Sequence, residues 1–136
     1  MKMRSLYVPA VLTLILAAIP ALAWAHHSFA AEFDASKVVT LTGIVTKVEW
    51  FNPHARIRFD VKDEKGVVNW DFELGSPNNL MRNGWRRDSL KPGDEITVNG
   101  SLARNAPHVG NARSIVMTKT GKRLFAGSSE GDANTQ

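Results

Sequence analysis

The sequence predicts an all-β domain with a little helix, and within that class a five-stranded OB-like barrel. Three observations carry this expectation. Apolar and polar residues alternate in runs of strand length, turn chemistry separates the runs, and one self-capped helical stretch falls between the third and fourth of them.

Residues 1–25 precede these elements and read as a cleavable signal peptide. Lys2 and Arg4 form a short basic start, Val8 to Leu22 is an apolar run broken by Pro9 and Pro20, and Ala23-Trp24-Ala25 is the small-x-small pattern a signal peptidase accepts. The run is short for a membrane span and ends in a cleavage pattern, so removal is expected, with no stable membrane anchor afterwards. No cysteine follows to take a lipid and no arginine pair precedes, which points to the general secretory route and a periplasmic location.

Residues 26–37 form an N-terminal arm, with Phe29 and Phe33 as apolar anchors against the domain at 38–125. The first strand is read over 38–51, VVTLTGIVTKVEWF, rich in β-branched and aromatic residues, and Asn52-Pro53 stops or bends it. HARIRFDV (54–61) is the second strand, with Ala55, Ile57, Phe59 and Val61 facing a core and His54, Arg56, Arg58 and Asp60 on the other face. After the Asp63-Glu64-Lys65-Gly66 turn, VVNWDFEL (67–74) places Val68, Trp70, Phe72 and Leu74 inward and Asn69, Asp71 and Glu73 outward.

The next segment carries its own punctuation. Ser76 is an N-cap, Pro77 the first helical residue and Gly84 the stop, which predicts a short helix. Lys91-Pro92-Gly93-Asp94 has the residues of a type II turn and launches a fourth strand, 95–103. A polar loop, 104–111, leads to a fifth strand over 112–124, and residues 126–136 are small, polar and without periodicity, so they are read as a disordered tail. Three strands, a capped helix and two strands is the order of an OB barrel; a plain meander or a sandwich fragment is the competing arrangement.

Composition narrows the function. Without residues 1–25 about 111 of the 136 residues remain, enough for one domain with one core. There are no cysteines, so no disulfide staples this chain and a metal site must use histidine, carboxylate or backbone nitrogen. Loss of Lys2 and Arg4 lowers the formal charge from +4 to about +2, too little to call for nucleic acid. No nucleophile elbow, phosphate loop or metalloprotease helix is present, so the reading leans away from an enzyme.

HHSFAAEFD (26–34) directly behind the signal, LTGIVTKVEWFNPHARIRFDV (41–61) and GNARSI (110–115) together resemble the exported bacterial family catalogued as domain of unknown function six-one-five-two. The resemblance spans the mature chain. It implies a small exported protein of the Gram-negative periplasm and brings no catalytic residues with it.

Two sets of side chains are candidates for function. The four histidines, His26, His27, His54 and His108, could form a copper site. A cut after Ala25 gives His26 a free amine beside its imidazole, and a cut after Ala23 puts His26 third, where amine, backbone nitrogens and ring can enclose Cu(II) in a plane. In an OB barrel the loops bearing His54 and His108 flank one face, so those two would sit near the terminus. Against this, no close ligand spacing joins them, and each can be an ordinary solvated or loop-capping residue.

The second set is Arg56 and Arg58 opposite Asp71 and Glu73, a polar surface for a small ligand or a periplasmic protein. Its plainer alternative is cross-strand ion pairs on a wet sheet. Trp50, Trp70 and Trp85 read as core residues rather than stacking platforms.

Overall fold

The computed structural model describes residues 29–127; the signal segment, His26, His27 and the tail from 128 onward lie outside the described residues. In chain order the elements are α1 (Phe29–Glu32), β1 (Phe33–Glu49), β2 (Arg56–Asp63), β3 (Gly66–Glu73), α2 (Pro77–Arg82), β4 (Glu95–Ala103), β5 (Val109–Met117) and β6 (Arg123–Phe125). The chain is mostly β, with two short helices.

All six strands belong to one sheet in the order β3-β2-β1-β4-β5-β6, each neighbouring pair antiparallel. In addition β3 pairs with β5 in parallel, so the pairings β1–β2–β3–β5–β4 return to β1. That last contact depends on a glycine. Phe72 and Gly110 are register partners, and a Cβ on Gly110 would sit 2.6 Å from the Phe72 ring. Only a residue without a side chain lets β5 come this close to β3.

β1 serves two neighbours. Phe33 to Ile44 pair with β4, and Ile44 to Glu49 pair with β2. A register shift between Val45 and Lys47 leaves Thr46 as an extra residue, the kind of bulge that re-aims a strand. The turn before β4 locks this bend: Val45 donates its backbone N–H to Asp94 O at 2.8 Å and accepts from Gly93 N at 2.8 Å.

Most of the inward set expected for β2 and β3 forms the core, with Val61 and Trp70 half-buried against it and Val68 half-buried outside it. Ala55, Ile57, Phe59, Phe72 and Leu74 are fully buried, joined by Ile96 and Val98 from β4 and Ile115 from β5. Phe59 and Phe72 pack with their rings tilted by 57° and centroids 5.5 Å apart. Trp85 is buried and donates its indole N–H to the Phe125 carbonyl, while Trp50 meets it edge-on at 6.1 Å and Trp70 rests against Phe72.

α2 is built as its sequence indicates. Ser76 Oγ accepts from Asn79 N at 3.3 Å, and Pro77 occupies the first turn. At the other end Trp85 N donates to Leu80 O and Gly84 N to Met81 O, the paired bonds of a Schellman ending, with Leu80 and Trp85 both buried. The turn expected at Lys91–Asp94 is also present, closed by Asp94 N donating to Lys91 O at 3.1 Å.

Five expectations need correction. β5 starts at Val109 rather than residue 112, because Val109 to Asn111 pair with β3. The sheet has six strands, not five, because the run read as one strand over 112–124 turns at Thr118–Gly121 and returns as β6; Gly121 adopts φ 69°, which a side chain would resist. β1 starts at Phe33 rather than residue 38, since Phe33 and Asp34 pair with Ala103 and Leu102 of β4. The second strand starts at Arg56 rather than residue 54, behind the cis Asn52–Pro53 peptide. Ala126 and Gly127 belong to the domain rather than to a tail: Gly75 N donates to Ala126 O at 2.8 Å, and Asn79 Nδ2 donates to Gly127 O.

Candidate functional site

Period-two alternation turns Arg56, Arg58, Asp71 and Glu73 to the face opposite Ile57, Phe59 and Phe72. Register then puts Arg56 opposite Glu73 and Arg58 opposite Asp71. The ion pairs run diagonally as well as across. Arg56 Nε donates to Asp71 Oδ1 at 2.9 Å and its Nη1 lies 3.7 Å from Glu73 Oε2; Arg58 lies 3.6 Å from Asp71 and 3.7 Å from Glu49. Lys47 ends the series on Glu49 at 2.7 Å and holds that carboxyl below its ordinary range.

Glu73 stands apart from the rest of this surface. Its side chain is only 13% exposed, with His54 Nδ1 3.6 Å from Oε1 and Asn111 Nδ2 donating to the same oxygen at 3.3 Å. Burial pushes its carboxyl above the ordinary range. His54 and Arg56 oppose that rise, Glu32 of α1 adds to it by like-charge repulsion, and the Asn111 bond opposes it.

A row of register partners continues from Glu73 through three more strands. Arg56 on β2, Glu73 on β3, Asn111 on β5 and Ser101 on β4 lie side by side. Asn111 and Ser101 are buried, and the Ser101 hydroxyl has no hydrogen-bond partner among the described residues.

Above this row lies a pocket of about 270 Å³. Arg56 and Glu73 line it from the sheet, Ala103 and Val109 from the ends of β4 and β5, Glu32 and Phe33 from the arm, and Asn105 and Ala106 from the β4–β5 loop. The arm is held over the sheet in two ways. Phe33 is buried with Phe29 against it at 5.5 Å, and Arg104 clasps the helix. Its backbone N–H donates to Glu32 O at 2.8 Å, its Nε donates to Ala30 O at 2.8 Å, and its Nη1 lies 3.6 Å from Asp34 Oδ2. Asp34 is held below the ordinary carboxylate range, chiefly by bonds from Ser36, with Arg104 and Lys37 contributing.

A family model matches residues 13–112, from inside the apolar N-terminal run into β5. The chain belongs to DUF6152, a family of unknown function. No curated protein matches it. Among solved structures, the ZRD-deleted mutant of TiaS, crystallised in complex with agmatine, is 22% identical over 60% of this chain, with a TM-score of 0.34; the match covers 21% of that chain.

In this DUF6152 chain the sequence-nominated residues separate. Arg56 and Glu73 reach the pocket, whereas Arg58 and Asp71 lie beside it in the ion-pair series, where Asp71 orients Arg56. His54 touches the site through Glu73, and its Nδ1 lies 3.1 Å from Leu74 O. His108 goes elsewhere: its ring stands edge-on to Trp70 at 5.0 Å, its φ is 56°, and its carbonyl accepts from Asp71 N. Positions 70 and 74 of the extended β3 segment are roughly 13 Å apart, so these partners do not bring His54 and His108 together. Among the described residues no three histidine or carboxylate side chains are grouped as metal ligands.

Glu32, Arg104, Asn111 and Ser101 escape sequence reading. Glu32, Arg104 and Asn111 depend on partners far along the chain, and Ser101 is buried by tertiary packing that leaves no local pattern.

Proposed function

We propose that this chain is an exported periplasmic binding module rather than an enzyme, and that its ring of strand pairings is an OB-like barrel carrying a small-ligand site. The returning order β1–β2–β3–β5–β4, with α2 between the third and fourth strands, supports the barrel. A single observation carries the binding reading: Arg56 and Glu73, from the outer face of the sheet, meet Glu32 of the arm around one pocket. Convergent charged groups on apolar walls are the usual make-up of a small-molecule site, and 270 Å³ suits a ligand below drug size.

Amide NMR of the mature exported protein tests this with three probes on one four-carbon stem: n-butylammonium, butyrate and 1-butanol. Saturable shifts at residues 31–33, 73 and 103–109 with any of them are expected. If all three leave those amides unmoved, the reading is overturned.

A second reading, copper binding, draws on chain connectivity. His27 lies two residues before Phe29, so at most about 7 Å of chain separates their Cα atoms, and α1 itself lines the pocket. His54 donating through Nδ1 to Leu74 O presents Nε2 as the acceptor, the arrangement a metal-bound histidine needs. Mass spectrometry of the exported chain is expected to find a terminus ahead of His27. Copper titration should then weaken with His54→Ala and stay unchanged with His108→Ala; a chain beginning at Phe29 or later removes the site.

A further inference from the structure

The rim formed by α2 and the β1–β2 loop contains none of the pocket's residues, yet it carries exposed cations and exposed apolar side chains together. We propose that this rim docks reversibly on an anionic phospholipid surface.

The β1–β2 loop runs alongside α2. At one end Trp50 meets Trp85 edge-on at 6.1 Å, and at the other Ala55 N donates to Gly75 O at 3.1 Å. Behind α2 the chain makes a tight turn, with Ser89 N donating to Arg86 O at 3.0 Å and Arg86 N donating to Ser89 Oγ at 2.8 Å. The Arg87 guanidinium lies over the Trp50 ring, 5.8 Å from its centroid, a cation–π contact that holds this charge at the rim.

The charge here is one-sided. Between residues 82 and 88, Arg82, Arg86 and Arg87 face Asp88 alone, and all four are exposed. The Arg86–Asp88 pair, at 3.6 Å with side chains 83% and 65% exposed, is a solvated contact that a lipid phosphate can replace. No carboxylate among the described residues pairs with Arg82 or Arg87. A guanidinium fork matches two oxygens of one phosphate.

A second, independent observation is carbon. Phe51 and Met81 are 46% and 45% exposed, and Phe51 is the one exposed phenylalanine or tryptophan among the described residues. Phe51 directly follows Trp50, and Met81 O accepts from Gly84 N in the helix ending that Trp85 closes, so both belong to the rim that bears the arginines. Cations beside protruding apolar side chains suit a bilayer surface, where phosphates meet the one and the headgroup boundary takes the other. An acidic protein would pair the arginines but would need a matching hollow for each apolar side chain; a bilayer needs none. Docking does not use the pocket, so it and the small-ligand reading can fail separately.

Co-sedimentation of the mature protein with vesicles tests the proposal. Mixed phosphatidylcholine and phosphatidylglycerol vesicles should bind it about 10-fold or more tightly than phosphatidylcholine alone, and added salt should weaken the binding. Arg82→Glu with Arg86→Glu should remove that preference, since each basic residue near such a surface contributes about fivefold. Lys62→Glu with Lys65→Glu makes the same charge change at the β2–β3 turn, the far end of both strands, and should leave most of the preference. Phe51→Ser with Met81→Ser should weaken binding to the mixed vesicles while the far-ultraviolet spectrum stays native. The proposal is overturned by no binding to mixed vesicles, by equal binding to neutral ones, by equal loss from the two charge reversals, or by no loss from the apolar pair.

Discussion

Glu73 holds a charge where the fold resists one, and this fixes how stability should respond to pH. Its carboxyl sits above the ordinary range because burial outweighs the help of His54, Arg56 and Asn111, with Glu32 pushing the same way as burial. In the window between the ordinary value and the raised one, the folded chain holds a proton that the unfolded chain has released. Stability from this residue is therefore present at the acid end and falls as pH rises through that window. Glu73→Gln cannot titrate, so its thermal midpoint relative to the parent should improve as pH rises from the ordinary carboxylate value through the raised one; a difference that stays flat as pH rises from the acid end would contradict the assignment. A second residue-scale expectation concerns Ser76, whose hydroxyl accepts from Asn79 N. Ser76→Ala should cost about 1 kcal/mol in urea unfolding with an unchanged m-value.

Among the elements, α1 and the start of β1 depend on a residue of the loop after β4. Arg104 touches three successive stations of the arm, the Ala30 and Glu32 carbonyls and the Asp34 carboxylate. Arg104→Ala keeps the backbone bond and loses the other two, so amides 29–34 should exchange with solvent faster while those of β2 and β3 stay protected. Equal protection of the arm in the variant would show that Phe33 alone holds it. This clasp was not legible in the sequence, because a hydrogen bond to a carbonyl some seventy residues away leaves no local pattern. What was legible is what local physics dictates. The alternation of β2 and β3, the caps of α2 and the Pro-Gly turn are each decided within a few residues, and each appears where it was read. The run 112–124 was misread because Thr118 and Thr120 are as acceptable in a strand as in a turn, so that only Gly121 hinted at a reversal.

At the scale of the molecule, the pairing of β3 with β5 turns a sheet with two edges into a circuit, and Phe72 facing Gly110 is a close approach at the pairing that completes it. Gly110→Ala should destabilise by about 1–3 kcal/mol, the usual cost of overpacking, with exchange protection lost first at residues 71–73 and 109–111. The order of strands suggested a barrel from sequence, and the outward residues of β2 and β3 were named from alternation alone. Their division into Arg56 and Glu73 at a pocket, with Arg58 and Asp71 beside it, was not legible, because the arm and the β4–β5 loop create the pocket from opposite ends of the chain. The expected meeting of His54 and His108 failed for a related reason: loop lengths leave open which aromatic ring a histidine will find, and His108 found Trp70.

The arm also has a practical side. Since Ala31 and Glu32 of α1 line the pocket, anything fused ahead of Phe29 is joined to the element that forms one wall of the site. Protein made in the cytoplasm with an N-terminal tag and protein recovered after export therefore offer different surfaces to a ligand. A comparison of their binding doubles as an assay for the proposed removal of residues 1–25.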